Sequence, residues 1–308
     1  MISSTAYLTR DDLRRLRERS DFRGACLVVH AWGVILGAMV LFAAYPNPLT
    51  FLLAVMIIGT RQLGLAVLMH DAAHGLLFRS RRLNDGVANW LCSYPVMADV
   101  RLYRPYHLKH HRHTQTPDDP DLPLSAPFPI TRSSFRRKTV RDLTGQTFVR
   151  QYGALFAPPK DGGRGTDRKQ FFGALAGPIV ANLVLLAAAI FVGHWYLYPL
   201  LWLLPAATWR MWVTRIRNIA EHAVLEDNTD PLKYARTTLA GPLERAFIAP
   251  YWVNYHLEHH LYMWIPCYNL PKAHKLLRAK GLKPRMEIRW GYLEVLRMAV
   301  SSRKVAAT

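Results

Sequence analysis

Long apolar stretches separated by strongly charged segments constrain this 308-residue chain more than any other feature. The first two cover about 25–45 and 49–69, each close to the ~20 residues that a helix needs to cross a bilayer. The Pro-Asn-Pro sequence at 46–48 predicts a tight turn between them. Two further stretches, 171–192 and 195–213, are joined by another short uncharged turn. The pattern predicts an all-α integral membrane protein with four transmembrane helices in two hairpins.

The distribution of charge predicts how these hairpins lie in the membrane. The chain has 40 Lys and Arg against 21 Asp and Glu, a net charge of +19. Most of the basic residues lie in the N-terminal tail, in the middle segment at 79–170 and in the C-terminal region, whereas both hairpin turns have none. By the positive-inside rule, both termini and the middle segment are cytoplasmic. Because basic residues flank apolar stretches and form no recognition motif, no nucleic-acid partner is expected.

The remaining segments complete a single domain of residues 1–308. Its core covers about 25–276, preceded by an amphipathic cytoplasmic tail, 1–24, in which Thr9 is expected to cap a helix at 8–20. A basic tail, 277–308, follows the core. Residues 117–169 are rich in Pro, Gly and Arg and are expected to be mostly irregular loop. The three cysteines share no metal or redox spacing, so free thiols are expected.

Eight of the 13 histidines lie in three short boxes, HDAAH, HLKHH and HLEHH. Residues three and four apart share a face of a helix, so each box presents two or three imidazoles to one side. Pro105 is expected to start the second helix, and Pro250 and Pro266 to bracket the third. Imidazole is a ligand for iron, zinc, copper and nickel, and eight histidines exceed the needs of one site. Two metal ions are therefore expected. The residues are His70, His74, His107, His110, His111, His256, His259 and His260.

A fourth element, Asn218-Ile-Ala-Glu-His222, has helical i, i+4 spacing. His222 adds a ninth imidazole, and Asn218 is placed to hold a metal-bound water. His30, His194 and His274 are expected to be structural, and His113 to lie beside the ligands or on the surface. Arg61, inside the second apolar stretch, has either a role with substrate or a position from which it snorkels to the interface.

The three boxes, in this order on a four-span frame, resemble those of membrane fatty-acid desaturases. The flanking sequences HHRHTQTPDDPD and NYHLEHHLYMWIPCYNLP support the resemblance, which covers about 61–276. The Asn218–His222 element resembles the additional ligand motif of that superfamily. The resemblance implies two iron ions, replaceable by zinc, that activate molecular oxygen with two electrons supplied from outside. It implies metal ligation by His70, His74, His107, His110, His111, His222, His256, His259 and His260, with Asn218 acting through water.

The resemblance leaves the reaction open. A fatty acyl desaturase, acting on acyl-lipid or acyl-thioester, is the leading interpretation, and a lipid or carotenoid hydroxylase or ketolase is the alternative. A membrane metal-binding protein without catalysis is the remaining reading. His256 at the start of the third box disfavours front-end desaturases, many of which have Gln there. Without a fused haem or iron–sulfur segment, an external donor, ferredoxin with its reductase, is expected. Asp71, Glu221 and Glu258 are candidates to orient ligating imidazoles, Glu258 being alternatively an exposed charge.

Overall fold

The computed structural model describes residues 7–156, 168–225 and 230–300, and helices form most of this part of the chain. The α-helices are α1 Arg10–Leu16, α2 Asp21–Ala44, α3 Pro48–Ala73, α4 Arg81–Val87, α5 Val100–His113, α6 Leu122–Ser125, α7 Arg132–Leu143, α8 Gln146–Phe156, α9 Arg168–Phe191, α10 Leu204–Ala207, α11 Trp209–His222, α12 Pro242–Phe247, α13 His256–Leu261, α14 Leu270–Ala279 and α15 Gly291–Ala299.

Short irregular helices and one small sheet complete these elements. Ala88–Ser93 and Pro199–Leu203 are π-helical, and Tyr94–Val96, Pro250–Trp252 and Cys267–Asn269 form single 3₁₀ turns. Strands β1 Thr237–Leu239 and β2 Ile288–Trp290 pair in parallel, Thr237 opposite Ile288. The predicted helical class is confirmed, with this two-stranded sheet as an addition that apolar periodicity did not indicate.

Helix α1 is the predicted amphipathic helix of the N-terminal tail, shortened at both ends. The Thr9 hydroxyl accepts from the Asp12 amide, and the Asp12 carboxylate accepts from the Thr9 amide, which forms a capping box. Leu13 and Leu16 are buried beneath it. The helix ends at Leu16 with Arg17 as its C-cap, and Ser20 caps the next helix, α2.

Helices α2 and α3 form the first predicted hairpin. Asn47 caps α3 by accepting from the amides of Leu49 and Thr50, with Pro48 as the first helical residue. Both helices are long and apolar enough to cross a membrane. Of the 18 most apolar consecutive residues in each helix, 22% are buried inside the protein in α2 and 61% in α3. From Ile58 onward nearly every residue of α3 is buried. The C-terminal half of α3 is thus the central helix of the fold.

The second predicted hairpin is less regular. The apolar part of α9 is Leu175–Phe191, shorter than the ~20 residues that span a bilayer. The prediction of one continuous helix over 195–213 is wrong. A π-helical turn leads into α10, and the backbone of Thr208 (φ −118°, ψ −86°) separates α10 from α11. Pro199 and Pro205 lack the N–H that regular helical bonding requires, which accounts for the irregular geometry here.

The prediction of irregular loop over 117–169 is also wrong for the described residues, since α6, α7 and α8 lie there. Helix α7 has the sequence RSSFRRKTVRDL, which shows no apolar stripe. Thr131 caps it by accepting from the Ser134 amide. Its fully buried Asp142 pairs with Arg215 of α11 at 2.5 Å. An ion pair holds the helix in place, and hydrophobic periodicity cannot reveal such an anchor.

The C-terminal region, predicted to be a basic tail, is instead folded against the rest of the protein in its described part. Strand β2 pairs with β1, and α15 packs on α11. Arg236, fully buried, pairs with Glu287 at 2.9 Å across the sheet. Glu244 of α12 accepts from the Tyr292 amide at the start of α15. These contacts fix the segment 248–262, which contains α13, against the end of α3.

Candidate metal centre

The first histidine box lies where α3 ends. His70 is in its last turn and His74 is its C-cap. Gly75, at φ +75°, provides the left-handed residue that ends the helix. The Arg104 guanidinium donates to the final carbonyls of α3, those of Ala72 at 3.1 Å and Ala73 at 2.8 Å. Both box residues are buried, so this helix end delivers two imidazoles into the protein interior.

The second and third boxes lie on α5 and α13. Asp99 caps α5 by accepting from the Arg101 amide, and Pro105 lies inside the helix, not at its start as predicted. Helix α13 lies between Pro250 and Pro266, as the sequence predicts. Both helices present their histidines at i, i+3 and i+4. The fourth element forms the end of α11, where Asn218 and His222 are one turn apart.

The nine imidazoles converge into two adjoining groups. Helices α5 and α13 each contribute an i, i+4 pair to one group and the i+3 histidine to the other. In each group the candidate ligand atoms all lie within 4.8 Å of one another. The five-histidine group is His70, His74, His107, His111 and His259, and the four-histidine group is His110, His222, His256 and His260. The groups touch where the His111 and His260 rings stack at 4.3 Å.

Within each group the Nε2 atoms face one another at short distances. His107 Nε2 lies 3.0 Å from both His74 Nε2 and His111 Nε2. In the second group, His256 Nε2 lies 2.9 Å from His222 Nε2 and 3.0 Å from His260 Nε2. Two nitrogens bound at right angles to one ion, each at ~2.1 Å, are ~3.0 Å apart. The observed separations are those of neighbouring ligands around a single ion.

The second ring nitrogens of several histidines have acceptors that determine their tautomers. His110 Nδ1 lies 2.8 Å from the Asp119 carboxylate, and His222 Nδ1 lies 3.1 Å from the Tyr234 carbonyl. His256 Nδ1 lies 3.4 Å from Glu221. The Asp119 carboxylate and the Tyr234 carbonyl accept, so Nδ1 of His110 and of His222 carries the proton and the neutral Nε2 of each presents a lone pair.

Lone pairs facing one another at these separations repel unless a cation lies between them. The lone pair of His222 Nε2 faces His256 Nε2 at 2.9 Å. In the five-histidine group, His70 Nε2 is buried and has no hydrogen-bond partner among the described residues. A buried acceptor without a partner is costly, and a metal ion satisfies it. The donor set therefore fits a metal ion in each group.

Burial keeps these imidazoles in the neutral form that binds metal. Desolvation lowers the pKa of His74 to about 3, and desolvation together with the nearby His110 lowers that of His222 to about 3. Desolvation, together with neighbouring histidines, holds the pKa of His107, His256 and His259 well below the usual value. Near neutral pH these rings are unprotonated, as ligation requires.

Asn218 lies beside the four-histidine group. It lines a cavity of about 40 Å³ together with His110, His222 and His256. That volume accommodates a water molecule, which needs on the order of 10–15 Å³ and polar neighbours. Asn218 therefore borders a space beside the four-histidine group that is large enough for one water.

The three carboxylates predicted to orient ligating imidazoles have different partners. Glu221 contacts His256, as described above. Asp71 instead accepts from the Cys267 amide at 2.9 Å, which joins the end of α3 to the segment after α13. Glu258 is fully buried, not exposed, and accepts from His274 Nδ1 at 2.7 Å. His274 is thus structural, as predicted, and both of these carboxylates stabilise the site from outside the ligand set.

Comparison with known proteins identifies the family. The model of the fatty acid desaturase family matches residues 46–292, which include all three boxes and the Asn218–His222 element. The chain belongs to the fatty acid desaturase family. Members use metal, and this one is an oxygen-dependent oxidoreductase.

Individual relatives of this desaturase-family protein differ in their reactions. The dihydrorhizobitoxine desaturase of Bradyrhizobium elkanii is 27% identical over 79% of this chain and 72% of its own. The beta-carotene ketolase of Paracoccus sp. (strain PC1) is 25% identical over 81% of this chain and 87% of its own. The sn-1 oleoyl-lipid 12-desaturase of Picosynechococcus sp. is 25% identical over 71% of this chain and 67% of its own.

Reasoning from the sequence missed several residues that fix the rings. Tyr103 lies one turn before His107 and its hydroxyl is 3.2 Å from His107 Nδ1. Thr114 places its hydroxyl 3.3 Å from His260 Nδ1. Asp119 was visible within the flank HHRHTQTPDDPD, but its partner was not. The carbonyl of Tyr234 has no sequence signal, because any residue type supplies a carbonyl.

Proposed function

We propose that this protein is a di-iron, oxygen-dependent desaturase that introduces a C=C bond into the fatty acyl chain of a membrane lipid or thioester. The observation that carries the proposal is the pair of adjoining groups, one of five imidazoles and one of four, buried at one end of α3. A site whose protein ligands are all imidazole nitrogens suits a redox-active ion such as iron, and zinc occupies the same kind of site. The nine histidines are the proposed ligands, with Asn218 acting through water.

Two bound iron ions would supply the activation of O₂ that removes hydrogen from an unactivated C–H bond. The protein's own groups hold and orient the rings. Asp119 and the Tyr234 carbonyl fix the Nδ1 protons of His110 and His222, and so aim Nε2 inward, while Glu221 lies 3.4 Å from His256 Nδ1. Burial excludes bulk water from both groups, which protects an oxidising site from side reactions. Asn218 and its small cavity keep one ordered water position beside the four-histidine group.

The proposal includes a membrane topology and partners. Four spans, with both termini and the histidine groups on the cytoplasmic side, follow from the charge distribution, and α2 and α3 support the first hairpin. An acyl substrate then enters from the bilayer. Since one desaturation consumes O₂, two electrons and two protons and releases two waters, an external donor is needed, for which we propose ferredoxin and its reductase. The basic cytoplasmic surface suits an acidic partner.

Ketolation of a carotenoid ring is the second candidate. The similarity to the Paracoccus ketolase favours it. The alignment covers 87% of that ketolase, a larger share than for either desaturase described above. Ketolation replaces two hydrogens of a methylene group by one oxygen and consumes twice as much O₂. The two candidates therefore differ in the fate of oxygen.

Oxygen labelling decides between them. The protein is expressed in a host that makes both fatty acids and beta-carotene, and membranes are incubated with ¹⁸O₂ and an electron donor. Desaturation gives an acyl chain two mass units lighter without label. A labelled ketone in the carotenoid fraction, or a labelled hydroxy acyl chain, would refute desaturation. The His111→Ala variant serves as the inactive control, because it removes a proposed ligand at the junction of the two groups.

A further inference from the structure

An open cleft of about 630 Å³ lies beside α3, away from the histidine groups. Its apolar walls come from α2, α3 and the segment that joins α12 to α13, and include Leu27, Val34 and Ile57. Arg61 lines the cleft, nine residues before His70 on α3. Nine residues correspond to ~900° of helical rotation, which places the two side chains on opposite faces. The cleft is therefore separate from the metal centre.

The floor of the cleft is polar and positively charged. The buried Arg61 donates from Nη2 to the carbonyls of Ala246 at 2.9 Å and Arg245 at 3.4 Å. Its guanidinium lies 5.5 Å from the centre of the Tyr251 ring, and the Tyr251 hydroxyl lies 3.1 Å from His30 Nδ1. No ion pair among the described residues includes Arg61, although Arg residues elsewhere pair with Asp or Glu. Neutral groups therefore hold the Arg61 guanidinium, and no carboxylate of the described residues neutralises its charge at the cleft.

The rim of the cleft has the composition of a membrane interface. Arg245 lines the cleft and is exposed, and Leu243, two residues before it on α12, is 75% exposed. Exposed apolar and basic side chains on one short helix suit a position at the level of lipid headgroups. With α2 and α3 crossing the bilayer as proposed above, the cleft opens sideways into the cytoplasmic leaflet. Two arginines then border a groove whose walls are apolar.

We propose that this cleft binds an anionic phospholipid. The headgroup phosphate pairs with Arg61 and Arg245, with His30 beside it, and one acyl chain lies along Leu27, Val34 and Ile57. Basic pockets between membrane helices on the cytoplasmic side are suited to such headgroups, and guanidinium binds phosphate in a bidentate manner. A lipid supplies both the anion and the apolar chain that the cleft can accommodate.

The bound lipid stabilises the segment that leads to the third histidine box. Tyr251 and Trp252 both have positive φ, 53° and 58°, which is unfavourable for residues with side chains. They lie shortly before His256, and the Tyr251 ring packs against Gly64 of α3, where an added Cβ would lie 2.6 Å from Cε2. A lipid on Arg61 and His30 covers this strained turn. Lipid binding is thus expected to raise the thermal stability of the protein and its retention of metal.

The test is a lipid titration of the full-length protein purified in detergent. Phosphatidylglycerol is compared with phosphatidylcholine of the same acyl chains, and the midpoint of thermal unfolding is measured. We expect phosphatidylglycerol to raise the midpoint by ~2–4 °C more than phosphatidylcholine does. The double variant with His30→Gln and Arg245→Gln should lose at least half of that difference. Its matched control is Arg82→Gln, which removes an exposed charge away from the cleft.

Four outcomes would overturn the proposal. One is an equal effect of the two lipids on the native protein, and another is a double variant that keeps the full difference. The third is an equal rise with inorganic phosphate alone, which would indicate an anion site without lipid. The fourth is an equal rise with a free fatty acid, which would assign the cleft to a carboxylate. Because no turnover is measured, failure here is distinguishable from failure of the proposed reaction.

Discussion

Single side chains outside the ligand set decide whether the nine imidazoles are ready to bind metal. The clearest case is Asp119, which is 4% exposed and lies 2.8 Å from His110 Nδ1. Asp119→Asn removes the charge that fixes this tautomer while keeping the shape of the side chain. Partners of this kind are worth about 10–100-fold in metal affinity or activity, and we expect a loss in that range. Metal content measured against a competing chelator gives the result.

Asp118→Asn is the matched control for this prediction. Asp118 is the preceding residue and is exposed, so its substitution should leave metal affinity unchanged. If both variants bound metal as tightly as the native protein, the role of Asp119 would be refuted. A separate melting curve shows whether the loop remains folded, because Asp119 also accepts from the amides of Gln115 and Asp121.

The depressed histidine pKa values predict how the metal-free protein responds to acid. Desolvation lowers the pKa of His74 and His222 to about 3 in the folded protein, against about 6.5 in an unfolded chain. Between these values the unfolded chain binds more protons, so stability rises with pH. It is fully present above about pH 6.5 and is lost as pH falls toward 3. The thermal midpoint should therefore decrease steadily from pH 7 to pH 5.

Two glutamine variants isolate the buried rings. His222→Gln removes one depressed group, so its midpoint should depend less steeply on pH than that of the native protein. His194→Gln removes an exposed histidine in the distant turn and should leave the slope unchanged. A midpoint of the native protein that stays constant over this range would contradict the assigned burial.

At this scale the sequence predicted which histidines come together but not how they divide. Spacing of three and four placed His107, His110 and His111 on one face of a helix. It did not indicate that His107 and His111 join one group while His110 joins the other. That division depends on the positions of α3, α11 and α13 around α5, which are tertiary contacts. The partner of His110, Asp119, lies in an irregular segment, where no periodicity operates.

Elements pack closely around the C-terminal half of α3, and glycine permits this. Gly24, near the start of α2, faces the segment that follows the first box. An added Cβ there would lie 2.1 Å from the carbonyl oxygen of Leu77, which is backbone and cannot rotate away. Gly24→Ala should therefore displace α2 and destabilise the protein by about 1–3 kcal/mol, the range for overpacked sites. Thermal unfolding in detergent measures the loss.

Gly33→Ala on the same helix provides the comparison. Nothing lies within 4 Å of the added Cβ, and the residue is exposed. Alanine favours the helix by about 0.5–1 kcal/mol over glycine, so this variant should be as stable as the native protein or slightly more stable. Equal effects at the two positions would mean that the contact of α2 with Leu77 does not limit packing.

The elements also show where sequence patterns indicate structure and where they do not. The apolar stretches 25–45 and 49–69 predicted α2 and α3 because burial in lipid or protein requires uniform apolarity. Helix α7 has none, and its anchor is the pair Asp142–Arg215. The stretch 195–213 is mostly apolar, yet the irregular geometry around its prolines breaks it. Apolarity predicts burial, whereas local backbone chemistry decides the regularity of a helix.

For the molecule as a whole, the division into apolar and basic regions predicts its placement in a membrane. Only labelling from each side of the membrane tests that placement directly. Cys26 is exposed, whereas Cys92 and Cys267 are buried, so Cys26→Ser provides a background with low reactivity. In it we introduce Pro46→Cys in the first turn, which leaves the Asn47 cap of α3 intact.

Three single cysteines then test the four-span arrangement in full. Both turns lack basic residues, so Pro46→Cys and His194→Cys should react with a membrane-impermeant maleimide added to intact spheroplasts. Asp118→Cys, exposed beside the second box, should react only after the membrane is permeabilised. Reaction of Pro46→Cys only after permeabilisation would overturn the predicted orientation of the first hairpin. If His194→Cys alone reacted from the cytoplasmic side, α2 and α3 would remain the only spans among the described residues. The irregular helices from 199 to 222 would then belong to the cytoplasmic region that holds the histidine groups.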